Sequence, residues 1–116
     1  MYSLSQVVSI RSADLALANK FVRRLATVVG ERIIEVTLYG SRAREDADGE
    51  SDLDLFVAVN GDDTEKSVEK AAFAIACDLT LESGILVSAF VADTAFLRRH
   101  QGFALLEAIE EEGIQL

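Results

Sequence analysis

The sequence predicts a fold of the α/β (α+β) class, a small mixed β-sheet flanked by helices, and three features of the chain lead there. Apolar residues recur at helical spacing in two long segments. Three short stretches carry strand-like alternation or an apolar, β-branched run. The first two of these stretches follow one another with no helix between them. That order asks for an antiparallel pair within the sheet and leaves a purely parallel, doubly wound arrangement without its connecting helix.

Taken in order, Ser12 can N-cap a helix through about Val29, with Leu15, Ala18, Val22, Leu25 and Val29 on one face and Gly30 as the stop. Ile33 to Tyr39 reads as a strand in which Ile34, Val36 and Leu38 point one way and Glu35 and Thr37 the other. The polar segment from Arg42 to Ser51, with Gly49 inside it, reads as a loop, and Asp52 to Val59 as the next strand. Thr64 can cap a second helix, whose Val68, Ala71, Ala72, Ile75, Ala76 and Leu79 form an apolar stripe ending at Gly84. "ILVSAFV", from Ile85 to Val91, is the third strand. A helical tail from about Thr94 to Glu112 follows, interrupted near Gly102 and closed by Gly113.

Residues 1–116 are expected to form one domain, since the chain contains no proline, no repeat and no low-complexity linker. No apolar run approaches the roughly 18–20 residues that span a bilayer, so no membrane partner is expected. "MYSLSQVVSI" lacks the basic and continuous apolar regions of a signal peptide. Cys77 is the only cysteine and is read as a buried, inert thiol, which with the absent signal points to a cytoplasmic protein. The net charge of −9 works against a long nucleic acid as partner, because such binding rests on neutralised phosphates. A single nucleotide carried with its metal escapes that objection.

The chemistry concentrates in "YGSRAREDADGESDLDLFV", residues 39–57. In an extended strand, residues two apart face the same side at about 6.6 Å. Asp52 and Asp54 therefore project together while Leu53, Leu55, Val57 and Val59 pack behind them. Two such carboxylates repel unless a cation sits between them. Mg²⁺ suits the position, because it takes one or two carboxylates together with phosphate oxygens and water. Upstream, Gly40 allows the backbone to turn and a phosphate to come close. Ser41 offers a hydroxyl and an N–H, and Arg42 and Arg44 offer guanidinium charge for phosphate oxygens. A solvated strand end beside an ordinary turn would look similar, but this four-residue spacing arises by chance in a chain this long at a rate on the order of a few per thousand. An EF-hand reading fails, since "DADGESDLDLFV" ends in Val57 where a glutamate is needed. His100 fits a helix surface better than a catalytic role. Phe90, Phe96 and Phe103 fit a core, and Glu110-Glu111-Glu112 a solvated helix end.

These residues resemble a known family. "GSRAREDADGESDLDLFV" matches the Gly-Ser-x10-Asp-x-Asp signature of the nucleotidyltransferase superfamily, which includes DNA polymerase beta and the kanamycin nucleotidyltransferases. The small size resembles its minimal nucleotidyltransferase (MNT) branch, and "ALLEAIEEEGIQL" is similar to that branch's closing Glu-Gly-hydrophobic element. The resemblance implies the nucleotidyltransferase fold, two Mg²⁺ ions on Asp52 and Asp54, and Gly40 and Ser41 on the triphosphate. It implies transfer of a nucleoside monophosphate from ATP or another nucleoside triphosphate to a hydroxyl. It also implies an antitoxin-like role, in which AMP is attached to a partner protein such as a HEPN-domain toxin. Two departures stand out. Arg44-Glu45 replaces the family's frequent Arg-Gly, and Ser88 takes the strand position where the family carries a third carboxylate. Neither Asp93, about 16 Å further on and on the opposite strand face, nor Asp78 or Glu82 is expected to replace it. The alternative reading is therefore a nucleotide-binding or toxin-binding module with weakened catalysis.

Overall fold

The computed structural model describes residues 4–30, 33–44, 51–60 and 65–116. The element order is α1 (Leu4–Val29), β1 (Ile33–Tyr39), α2 (Ser41–Arg44), β2 (Leu53–Val59), α3 (Glu65–Ser83), β3 (Val87–Asp93), α4 (Thr94–Arg99), α5 (Ala104–Glu112) and β4 (Ile114–Gln115). The sheet runs β3-β2-β1-β4. β1 pairs antiparallel with both β2 and β4, while β2 and β3 are parallel. The expected mixed sheet and its antiparallel first pair are both present.

One face of the sheet carries the main core. Val36 and Leu38 of β1, Leu53, Leu55, Val57 and Val59 of β2, and Val87 and Val91 of β3 pack against two helices. Ala18, Phe21, Leu25 and Val29 of α1 and Val68, Ala72, Ile75, Ala76 and Leu79 of α3 supply the other side. The alternation of the strands and the 3.6-residue period of the helices place these residues together, and burial of apolar area stabilises the result. The opposite face holds a smaller cluster of Phe56, Ala58, Ala92 and Ile109, flanked by Tyr39, Phe90 and Phe96. There Phe56 meets Phe90 edge-on at 5.5 Å, Phe90 meets Phe96 at 5.8 Å, and His100 stacks on Phe96 at 4.1 Å. His100 also lies at the C-cap of α4, with Nδ1 2.9 Å from the carbonyl oxygen of Phe96. It is a packed residue rather than a surface one. Phe103 is half exposed, so of the three phenylalanines expected in the core it contributes least.

Several boundaries differ from the sequence reading. α1 starts at Leu4, so Ser12 lies inside the helix, where a serine costs only a few tenths of a kcal/mol, about half a kcal/mol at most. The capping role given to Thr64 falls outside the described residues. β3 is shifted two residues later than expected. Ile85 is held in a turn by Ser83 Oγ, and Asp93 ends the strand by accepting the Phe96 N–H at 2.7 Å as the N-cap of α4. Cys77 is exposed, not buried; the core stripe of α3 passes through Ala76 and turns its neighbour outward. β4 was not foreseen, being two residues long.

The closing Gly113 has a steric reason. A Cβ there would overlap the carbonyl oxygen of Ile109 and the Cγ2 of Thr37. Only a bare backbone lets the chain leave α5 and pair Ile114 with Leu38 and Gln115 with Thr37. Gly113→Ala is expected to lose about 1–3 kcal/mol in urea unfolding. An unchanged midpoint would contradict this close contact.

Candidate functional site

The site lies on the sheet face opposite the main core, at the end where β1 stops and β2 begins. Across the antiparallel ladder Tyr39 is the partner of Asp54, and across the parallel ladder Asp54 is the partner of Ser88. Paired residues show their side chains on the same face. Tyr39, Asp54 and Ser88 thus form one row over three strands. Asp52, exposed just before β2, adds a second carboxylate two residues ahead of Asp54.

Electrostatics register that proximity. The Asp54 carboxyl is pushed above the usual carboxylate range, first by burial and then by the charge of Asp52. The Tyr39 hydroxyl is likewise raised by burial and by Asp54, so it stays protonated beside the acids. Tyr39 was missed as a site residue. Its signal was the alternation that puts Glu35, Thr37 and Tyr39 on one side of β1.

Gly40 is required twice over. Its φ of +79° is left-handed, and a Cβ there would come within 2.6 Å of Asp54 Oδ2. The carboxylate leans over the bare turn, and Ala43 N–H closes it by donating to the Gly40 carbonyl at 3.1 Å. Ser41, half-buried, opens α2 immediately after. The structure therefore brings Gly40, Ser41, Asp52 and Asp54 to one place.

Arg42 is placed differently from the phosphate-facing role first assigned to it. Its guanidinium is buried, donating from NH1 to Asp14 Oδ1 at 2.7 Å and from Nε to the Ser51 carbonyl at 2.9 Å. It acts as a strut joining α2, the chain just before Asp52, and α1. Asp14, the other half of the pair, was not foreseen. It sits four residues before Ala18 on the buried stripe of α1, and a carboxylate in such a stripe signals a buried partner. The side chain of Arg44 and the Glu45 to Glu50 segment lie outside the described residues.

Ser88 is exposed beside Asp54. Asp93 is committed to capping α4, and Asp78 and Glu82 are exposed on α3, Glu82 paired with Arg24 at 2.6 Å. Among the described residues no group of three or more His, Cys, Asp or Glu could hold a metal ion. Two neighbouring carboxylates, one with its pKa raised first by burial and then by the other's charge, suit a single Mg²⁺ that takes its remaining ligands from phosphate and water. Beside Asp54 the parallel ladder places Ser88, a hydroxyl and not a carboxylate.

Comparison with known proteins gives consistent findings. A family model described as "Nucleotidyltransferase domain" matches residues 18–98, more than half of the chain. "Putative protein adenylyltransferase MJ0141" of Methanocaldococcus jannaschii is 31% identical over 77 residues, covering 66% of this chain and 77% of that protein. Among solved structures, a "putative nucleotidyltransferase" from Sulfolobus solfataricus superposes with a TM-score of 0.62 at 19% identity, over 99% of this chain and 89% of that one. A mutant form of "the toxin-antitoxin MntA-HpeT" gives a TM-score of 0.53 at 17% identity, over 84% of this chain and 69% of that one. At these identities the two structures speak for the fold alone.

Proposed function

The chain belongs to the nucleotidyltransferase domain family, and from that premise we propose that it transfers AMP from ATP to a hydroxyl of a partner protein, with Mg²⁺ held by Asp52 and Asp54. The observation that carries the reading is the pair of carboxylates beside the Gly40–Ser41 turn. Gly40 leaves room for the Asp54 carboxylate to lie against the turn, and the Ser41 hydroxyl donates to a phosphate oxygen. Asp52 and Asp54 would hold the ion, their carboxylates aimed to the same side of β2 beside the turn. Mg²⁺ bound there would neutralise charge on the α-phosphate and on the departing pyrophosphate. The acceptor oxygen attacks the α-phosphorus, the bond to pyrophosphate breaks, and the acceptor proton is released. With Ser88 where an acid would take that proton, it passes to solvent, and loss of a general base lowers the rate by about 10²–10⁴. The proposed partner is a toxin-like protein of the HEPN type, and the fold is one that a toxin–antitoxin pair also uses. The use of ATP and a lone free thiol favour work in the cytoplasm.

The second reading rests on Ser88 alone: a module that binds nucleotide and partner with little turnover. The test uses α-labelled ATP, Mg²⁺, the purified protein and a lysate of its own source, with Asp54→Asn as control. A labelled protein band that disappears in the control supports the transferase. If ATP·Mg²⁺ binds and no label transfers, the binding module is favoured. Ser88→Asp is expected to raise any transfer rate by about 10²-fold or more, since it restores a base beside Asp54. No gain would show that the acceptor proton needs no carboxylate there.

A further inference from the structure

A groove of about 510 Å³ runs between α3 and β3, lined by Phe73, Ala76, Cys77, Thr80, Leu81, Leu86, Val87, Ser88 and Ala89. Its outer wall is unusually apolar for a surface: Phe73 is 70% exposed, Leu81 85% and Leu86 54%. The inner wall is a strand edge. Val87, Ser88 and Ala89 are consecutive and alternate between the two sheet faces, so all three line one groove only if it follows the edge of the strand.

β3 is the terminal strand of the sheet. Its backbone polarity can be read from one bond, Leu53 N–H donating to the Leu86 carbonyl at 2.8 Å. In a parallel ladder that bond, with Leu53 opposite Val87, turns the N–H and C=O of Ser88 and Phe90 toward β2. The groups of Val87 and Ala89 then point outward. The Val87 N–H does so visibly, since the Thr80 hydroxyl accepts it at 2.9 Å. Thr80 caps the first position of the edge, and the N–H and C=O of Ala89 face the groove.

We propose that this groove binds an extended segment of the partner protein, which adds to β3 as a further strand and seats alternate apolar side chains against Phe73, Cys77 and Leu81. The outward N–H and C=O of Ala89 are matched together by the backbone of an added strand, which continues the edge beyond the position that Thr80 caps. The groove also reaches Ser88, the ladder partner of Asp54, so the docked segment runs past the candidate site. The net charge of −9 opposes a second copy of this chain as occupant and favours a basic segment. The inference rests on the transferase reading for its purpose, but its binding step is independent of catalysis.

Cys77 is the only cysteine and lines the groove, so its alkylation rate reports occupancy without any transfer. The probe is a synthetic heptapeptide alternating valine with lysine. It is expected to slow alkylation of Cys77 saturably, and N-methylation of the amides along one of its edges is expected to raise the half-protecting concentration about ten-fold. Ala89→Pro removes the outward N–H without touching a bond to β2 and should have a similar effect, with ATP·Mg²⁺ binding unchanged. Phe73→Ser, at an exposed position, should also weaken protection and guards against a folding defect in the proline variant. No protection, or protection indifferent to N-methylation and to both variants, overturns the proposal. So does concentration-dependent dimerisation in sedimentation that itself shields Cys77, because the occupant is then a second copy. Loss of labelled transfer with peptide protection intact would sink the catalytic reading and leave the docking surface standing.

Discussion

Asp54→Asn is expected to abolish labelled transfer while leaving the folded protein slightly more stable than the wild type in the absence of Mg²⁺. Both effects come from one carboxylate. Burial and the neighbouring Asp52 raise its pKa in the folded state above that in the unfolded chain. The folded state therefore binds this proton more tightly. The associated stability is fully present below the unfolded pKa and is lost as pH rises through the raised folded value. Burial and Asp52 disfavour the charged form of Asp54 in the fold, and asparagine removes that charge. Because the group is partly exposed, solvent screens much of the effect, and a small rise in Tm is expected. Mg²⁺ reverses the order, since it adds stability only to the chain that binds it. Melting curves at neutral and mildly acidic pH, with and without Mg²⁺, check the sign. Wild-type transfer surviving in both Asp52→Asn and Asp54→Asn would remove the proposed site.

Arg42→Ala should produce the largest stability loss, about 3–5 kcal/mol, by leaving Asp14 buried without its partner. Replacing both residues with leucine should recover most of that loss, because the penalty comes from the orphaned charge rather than from the absent pair. Function should suffer as well. Arg42 ties the Gly40–Ser41 turn to Ser51, immediately before Asp52, and both to α1. Without the strut the two halves of the site drift relative to each other, so nucleotide affinity should fall even in cold, folded protein. A urea midpoint within the range of ordinary surface substitutions would show that the pair carries no such burden. Arg42→Lys separates the roles: a lysine keeps the charge but cannot span Asp14 and the Ser51 carbonyl together.

Much of the architecture is local and so was legible in the chain. The period of α1 and α3, the alternation of β1 and β2, and the missing helix between those strands each follow from side-chain direction within a few residues. The Gly40-Ser41 and Asp52-x-Asp54 spacing also announces its chemistry, because one strand aims both carboxylates and one glycine opens the turn. Boundaries were less legible. Ser12 looked like a cap although a helix tolerates it, and β3 began two residues later because Ser83 holds Ile85 in a turn.

What the sequence alone determined, then, is the two long helices, the three main strands and the same-face spacing of Asp52 and Asp54, since these depend on neighbours along the chain. α2 replaced part of an expected loop, and β4 emerged only in the fold. Tertiary structure alone decided what depends on neighbours in space. It put Ser88 beside Asp54 through a parallel ladder, and it set Asp14 against Arg42 from 28 positions away. It raised Tyr39 and Asp54 by shared burial. It also left Cys77 and the outward edge of β3 facing an open groove. Pairing across a sheet and burial against another helix are not written in any local period, and this site is assembled from both.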